Sequence, residues 1–494
     1  MRSLSKSKLL AFRQCPKRLW LEVHGRHLLE KATEDSAFTA GRPVGEVARE
    51  LFDPDGLGRL VDVGALGIDG AIERTQDLLG SAQPVFEAGF GAEGVAAFAD
   101  VLLPATEAGR LRWRLVEVKS SASVKEYHRD DAAIQAYVVR ESGVPLESVA
   151  VATVNTNFVY LGDGHYDGLL VEEDLTDETL DREGEVQAWI AEAEAILASR
   201  VEPSRLTGSH CSDPFECGFM GHCRSGEAPV EYPVSWLPRI ATKKLKAFIA
   251  EEEIKELADV PDDLLGPVQQ RVKQSTLKGE IFFDAAAAAE ALARHEWPAF
   301  FLDFETISFA VPIWAGTRPY QPLAFQFSVH RVSADDELVH RDFLDLSGDD
   351  PREALAEALI EACEEYGPVF VYSSFEKSRI EELIEQFPEQ AEALDELVGR
   401  LVDLRPIAEK CYYHPDQQGS WSIKKVLPAV TGRSYEELEG IRDGGMAMEA
   451  YVEAVAAETT AERKTEIEAQ LRAYCAFDTA AMVRIWEALS RRKS

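Results

Sequence analysis

The stretch Arg114-Leu-Val-Glu-Val-Lys-Ser-Ser-Ala-Ser123 decides how the first half of this chain folds. Leu115, Val116 and Val118 give it the character of a strand, and Glu117 and Lys119 stand two residues apart. On a strand that spacing places both on one face. An acid and an amine side by side on a mostly apolar strand are poorly explained by packing, because buried charges need partners. Working outward, Ala97-Phe-Ala-Asp-Val-Leu-Leu103 is a second apolar run, presenting one acid, Asp100. Downstream, His128-Arg-Asp-Asp-Ala-Ala-Ile-Gln-Ala-Tyr-Val-Val139 reads as a helix that carries Gln135 inward.

An acid, then Glu-x-Lys, then a helix with Gln resembles the PD-(D/E)xK nucleases, and among them the RecB-like branch. The chemistry fits the residue types. Phosphodiester hydrolysis uses a cation to polarise the phosphate and lower the pKa of an attacking water. Asp100 and Glu117 offer the oxygen ligands that Mg²⁺ or Mn²⁺ prefer; Lys119 would hold the water or the developing charge. RecB-like nucleases carry Gly and then His four residues later at the place of Ala37–Ala48. Gly41 is present here, but position 45 is Gly. Glu46 follows as a substitute acid, and Glu87 is a further acid near the expected site.

The start of the chain adds a second resemblance. Ser5 caps a short helix that runs into Cys15-Pro16, where another begins. This start is similar to that of RecB-family nucleases with an iron–sulfur cluster, including CRISPR-associated ones. The family's later cysteines have counterparts in Cys211, Cys217 and Cys223, each separated by five residues in a loop with Gly and Pro. The resemblance implies that Cys15 joins them around a [4Fe-4S] cluster of structural role. The even spacing departs from the family's shorter gap. It keeps open a zinc site made of Cys211, Cys217, Cys223 and either Cys15 or His222.

The totals set bounds. With 494 residues, more than one domain is expected. Net charge is -35, from 87 acids against 52 bases. That argues against a protein that coats nucleic acid, which Lys and Arg drive, but leaves room for local basic clusters at Lys6–Arg18, Lys243–Lys246 and Lys424–Lys425. Seven cysteines without an apolar signal region suggest metal ligation over disulfides. No run approaches a membrane-spanning length, so a soluble cytoplasmic protein is expected.

The second half opens on Pro298-Ala-Phe-Phe-Leu-Asp-Phe-Glu-Thr-Ile-Ser308, a strand with Asp303 and Glu305 on one face. This Asp-x-Glu resembles the first motif of the DEDD exonucleases, which have an RNase H-like fold. Two carboxylates on one strand suit a two-cation phosphoryl site. Val369-Phe-Val-Tyr-Ser-Ser-Phe-Glu-Lys-Ser-Arg-Ile380 resembles the second motif, with Glu376 where the family has Asp. Asp403 is an orienting companion, and Trp421-Ser-Ile-Lys-Lys425 a segment packed beside the site. In Ala473-Tyr-Cys-Ala-Phe-Asp478, Tyr474 and Asp478 share a helix face. Asp478 would hold metal and Tyr474 position water. Cys363, Cys411 and Cys475 read as ordinary buried thiols.

The halves together resemble an uncharacterised bacterial and archaeal family that joins a RecB-like nuclease to an RNase H-like domain. The expectation is an α/β chain in three parts. Residues 1–228 are the PD-(D/E)xK domain, 229–285 a helical spacer, and 286–494 an RNase H-like 3′-to-5′ exonuclease with a mixed sheet. The expected activity is metal-dependent hydrolysis of single-stranded DNA or RNA. No Walker A loop is present, so unwinding would need a helicase or another repair or defence partner. The alternative is that one or both sites are silent, leaving a cluster-stabilised nucleic-acid-binding scaffold.

Overall fold

A computed structural model of the chain describes residues 4–30, 36–293 and 297–490. Residues 1–3 lie outside the described residues, while the basic cluster Lys6–Arg18 lies wholly within them. The chain is α/β and divides into two compact units. One comprises residues 1–229 with 309–320; the other comprises 230–308 with 321–494. The expected 229–285 spacer thus divides almost wholly with the second unit. Residues 309–320 join the first, where Val311 packs with Val44, Val154 and Leu169. No helix of the described residues is long and apolar enough to cross a membrane.

The first unit is built on a seven-stranded mixed sheet. Val85–Ala92, Val95–Glu107 and Arg110–Lys119 run antiparallel in sequence, and Arg110–Lys119 continues parallel to Leu146–Val154. A parallel pair needs a crossover, and the helix Glu126–Glu141 supplies it. Leu115 packs into the core that this helix covers. Side chains alternate along a strand, so Glu117 and Lys119 face the helix too. Leu4 and Ser5 pair in parallel with Val95 and Ala96. The Ser5 hydroxyl then accepts from the Lys8 amide at 3.3 Å and starts the helix Lys6–Gln14. That helix ends at the extended Cys15, and Pro16 opens the next at the position where its missing N–H costs nothing.

The second unit has a five-stranded sheet. Its order is Leu338–Leu344, Leu323–Val332, Ala299–Ile307, Val369–Val371 and Leu401–Asp403. The first three strands are antiparallel neighbours; the last two run parallel to the central Ala299–Ile307. The 30-residue helix Ala461–Ser490 buries Ile467, Leu471, Tyr474, Cys475, Asp478, Met482 and Ile485. Those positions recur every three to four residues, the stripe of an amphipathic helix lying on a core. The same stripe carries Asp478 toward the sheet.

Candidate functional site

In the first unit, Glu117 is 1 % exposed and the centre of a ring of charges. Its Oε1 accepts from Lys119 Nζ at 2.6 Å and from Lys6 Nζ at 2.9 Å. Both lysines also reach Asp131, Lys6 at 3.0 Å and Lys119 at 2.5 Å. The Gln135 amide donates to Glu117 Oε2 at 2.5 Å. Asp100 lies against the ring, its Oδ2 accepting from the Val118 amide at 2.7 Å. Burial alone would raise Glu117, but Lys119 and Lys6 hold its carboxyl well below the usual range. The same acids keep both ammonium groups charged despite their burial. Burial first, and then Glu117, push Asp100 well up.

The structure thus brings Asp100, Glu117, Lys119 and Gln135 together as expected from sequence. It adds Lys6 and Asp131, which the sequence reading missed. Asp131 precedes Gln135 by four residues, so one helix face carries both; that spacing was a usable signal. Lys6 comes from 111 residues away along the chain and left none. Glu87 is half-buried at a left-handed φ of 56° and is pushed up by burial and by Glu117, so it belongs to the neighbourhood. Gly45 faces open space: a Cβ there would meet no atom within 4 Å. Glu46 is exposed and bonds to none of the ring, so the expected stand-in for the missing His does not reach it.

Cys15, Cys211, Cys217 and Cys223 line one small cavity, together with Lys17, Arg18 and His210. Among the described residues no three of their sulfurs lie within 4.8 Å of one another. Thiolates about 2.3 Å from a single zinc would sit roughly 3.8 Å apart. The cavity itself is only about 10 Å³, room for about one water. Cys15 and Cys211 are buried there, and Cys217 and Cys223 are half-buried. His222 turns away, its Nε2 3.1 Å from Glu202 Oε1.

In the second unit, Asp303 and Glu305 on the central strand meet Glu376, from the first turn of Phe375–Gln386, and Asp478. Among the described residues none of the four has an ion-pair partner. Burial, followed by Asp478 and Glu305, raises Asp303 well above its usual value. Burial and Asp478 push Glu305 up to about 8. Burial takes Glu376 to about 7 and Asp478 to about 6. Lys424 lowers Glu305 and Asp478 through space, while its own Nζ donates to the Arg442 carbonyl at 2.8 Å. The Tyr435 hydroxyl donates to Asp478 Oδ1, and Ser373 Oγ to Glu376 Oε2 at 3.1 Å. Tyr474 stands beside Asp478, its hydroxyl pKa raised by burial and by that acid. Asp403 accepts from the Arg405 amide at 2.8 Å and so caps the helix Leu404–Cys411.

Two members of this site were not read from sequence as such. Tyr435 sits in a single short turn with no periodic signature. Cys475 is not simply a buried thiol. Its Sγ lies within 4.8 Å of carboxylate oxygens of Asp303 and Glu305. Burial and those acids raise its pKa, which keeps it a thiol. Cys363 and Cys411 are buried thiols as expected.

A sequence model described as a domain of unknown function (DUF2779) matches residues 300–422. The match takes in Asp303, Glu305, Glu376 and Trp421 and stops before Tyr435 and Asp478. Among curated proteins the chain is similar to the Uncharacterized protein MG366 homolog of Mycoplasma pneumoniae. The two are 27% identical over 206 residues, 37% of this chain and 31% of that protein. The match spans about a third of that relative's length, and neither description names an activity.

Proposed function

We propose that this chain is a metal-dependent nuclease whose chemistry lies in the second unit, acting as a 3′-to-5′ exonuclease on single-stranded DNA or RNA. The observation that carries this is the group of four carboxylates, three buried and Asp303 half-buried, with no ion-pair partner among the described residues. Such a group is unfavourable by itself and suits divalent cations that take oxygen ligands. Asp303, Glu305, Glu376 and Asp478 would hold Mg²⁺ or Mn²⁺, which supplies Lewis acidity and a more acidic bound water. Tyr474 positions the attacking water. Tyr435 holds Asp478 in place by its hydrogen bond. Lys424 offers positive charge toward the phosphate. Water adds to phosphorus as the bond to the preceding 3′ oxygen breaks, releasing a mononucleotide.

For the first unit, Lys6 favours a different reading from cleavage. Its ammonium already sits on the Glu117 oxygen that a cation would need, and Gly45 leaves one ligand out. The first unit then serves as a nucleic-acid-binding module closed by its four cysteines, which line one cavity and would hold a [4Fe-4S] cluster. The test is release of nucleotides from end-labelled single strands with Mn²⁺ or Mg²⁺, comparing wild type with Asp303→Ala. Release lost in the variant supports the proposal; release that persists moves the chemistry to Glu117 and Lys119.

A further inference from the structure

The groove of the first unit, about 1610 Å³, is lined by Lys6, Asp100, Lys119 and Asp131 of the charge ring and by residues 213–216 of the loop between Cys211 and Cys217. Phe215 stands on that loop with 47% of its surface exposed. Its ring meets the edge of Tyr127, with centroids 5.0 Å apart and planes at 67°. Tyr127 lies four residues before Asp131 on the same helix, so the aromatic pair is one turn from the charge ring. Lys125 Nζ stands 5.9 Å from the Tyr127 ring. Lys125, Arg205 and Arg49 line the groove and have no ion-pair partner among the described residues.

The loop is fastened from behind. The Gln14 amide, 7% exposed, donates to the carbonyls of both His210 and Phe215 at 2.7 Å. Gln14 directly precedes Cys15, and the Cys217 amide donates to the Cys211 carbonyl at 2.8 Å. The Gln14 amide next to Cys15 therefore holds the backbone at Phe215.

We propose that Tyr127 and Phe215 form a stacking step for an unpaired base of a single-stranded nucleic acid, with Lys125 and Arg205 meeting the flanking phosphates. An exposed aromatic face and cations without carboxylate partners are the two elements that grip single strands without regard to sequence. A duplex keeps its base faces covered and does not use the step. This rests on the nucleic-acid reading above, but not on cleavage by either unit.

The test uses the full chain in EDTA and a short DNA strand carrying 2-aminopurine, followed by anisotropy and by quenching of the base fluorescence. Wild type binds and quenches. Phe215→Ala and Phe215→Leu, each checked for an unchanged Tm, weaken binding about five- to a hundredfold and lose the quench; Phe215→Trp keeps both. Lys125→Ala and Arg205→Ala each lower the slope of log Kd against log salt by about one. Wild-type behaviour in Phe215→Ala, equal quenching by duplex, or no binding of any strand overturns the step. Mn²⁺-dependent release measured on the same preparations separates the two ideas. Release without stacking sinks the platform alone, and stacking without release sinks the exonuclease alone.

Discussion

In the first unit, Glu117 and Asp131 share two ammonium groups, Lys6 and Lys119, that the protein itself brings to them, with Asp100 close by. In the second, Glu305, Glu376 and Asp478 are buried beside a half-buried Asp303 and, among the described residues, have no ion-pair partner; Lys424 lowers only Glu305 and Asp478, through space. One group has its counter-charge built in; in the other, burial and mutual repulsion raise the carboxyl pKa values instead. The contrast shows in the carboxyl pKa values, which fall for Glu117 and rise to about 8 for Glu305. Two acid-rich motifs that look alike in sequence thus differ in what they ask of a ligand. An unneutralised group gains most from a cation, while a neutralised one must first give up an amine.

The largest expected effect is on activity. Asp478→Asn should lower nucleotide release on the order of a thousandfold, as loss of a cation ligand does, while Glu117→Gln in the same assay leaves it within about threefold. Equal losses in both would erase the contrast. Next comes stability without metal. Glu305, Glu376 and Asp478 have folded-state values of about 8, 7 and 6, above the 4 to 4.5 of an unfolded chain. The folded protein then binds more protons than the unfolded one. This contribution is fully present below about pH 4 and is lost as pH rises through 6 to 8. In EDTA the melting temperature of the second unit should fall over that range. Mn²⁺ should restore it more at pH 8 than at pH 6, and a flat profile would contradict the raised values.

The smallest effect would sharpen the contrast from the other side. Gly45 has room for a larger side chain. Gly45→His combined with Lys6→Ala should raise Mn²⁺ affinity of the first unit about tenfold, measured in an Asp303→Asn background. No gain would mean that Lys6 is not what keeps the cation out.

Much of this arrangement was legible because short periods report faces. Spacing of two put Glu117 with Lys119 and Asp303 with Glu305; spacing of four put Tyr474 with Asp478. The same rule applied to Asp131 and Gln135 would have found one missed member. Lys6 was not legible, since its place depends on Leu4 and Ser5 joining the sheet beside Val95, a long-range pairing with no local pattern. Tyr435 and the excursion of residues 309–320 into the first unit are hidden for the same reason. Gly45 is the sequence's departure from the resemblance's pattern, but only the structure shows Lys6 on the Glu117 oxygen.

The most direct measurement is the binding of Mn²⁺, read from the loss of the free-ion signal in electron paramagnetic resonance, for wild type, Asp303→Asn and Glu117→Gln at pH 7.5. Tight binding that disappears in Asp303→Asn and is unchanged in Glu117→Gln is the expected result. Binding that survives in Asp303→Asn and disappears in Glu117→Gln would contradict it and place the metal centre in the first unit.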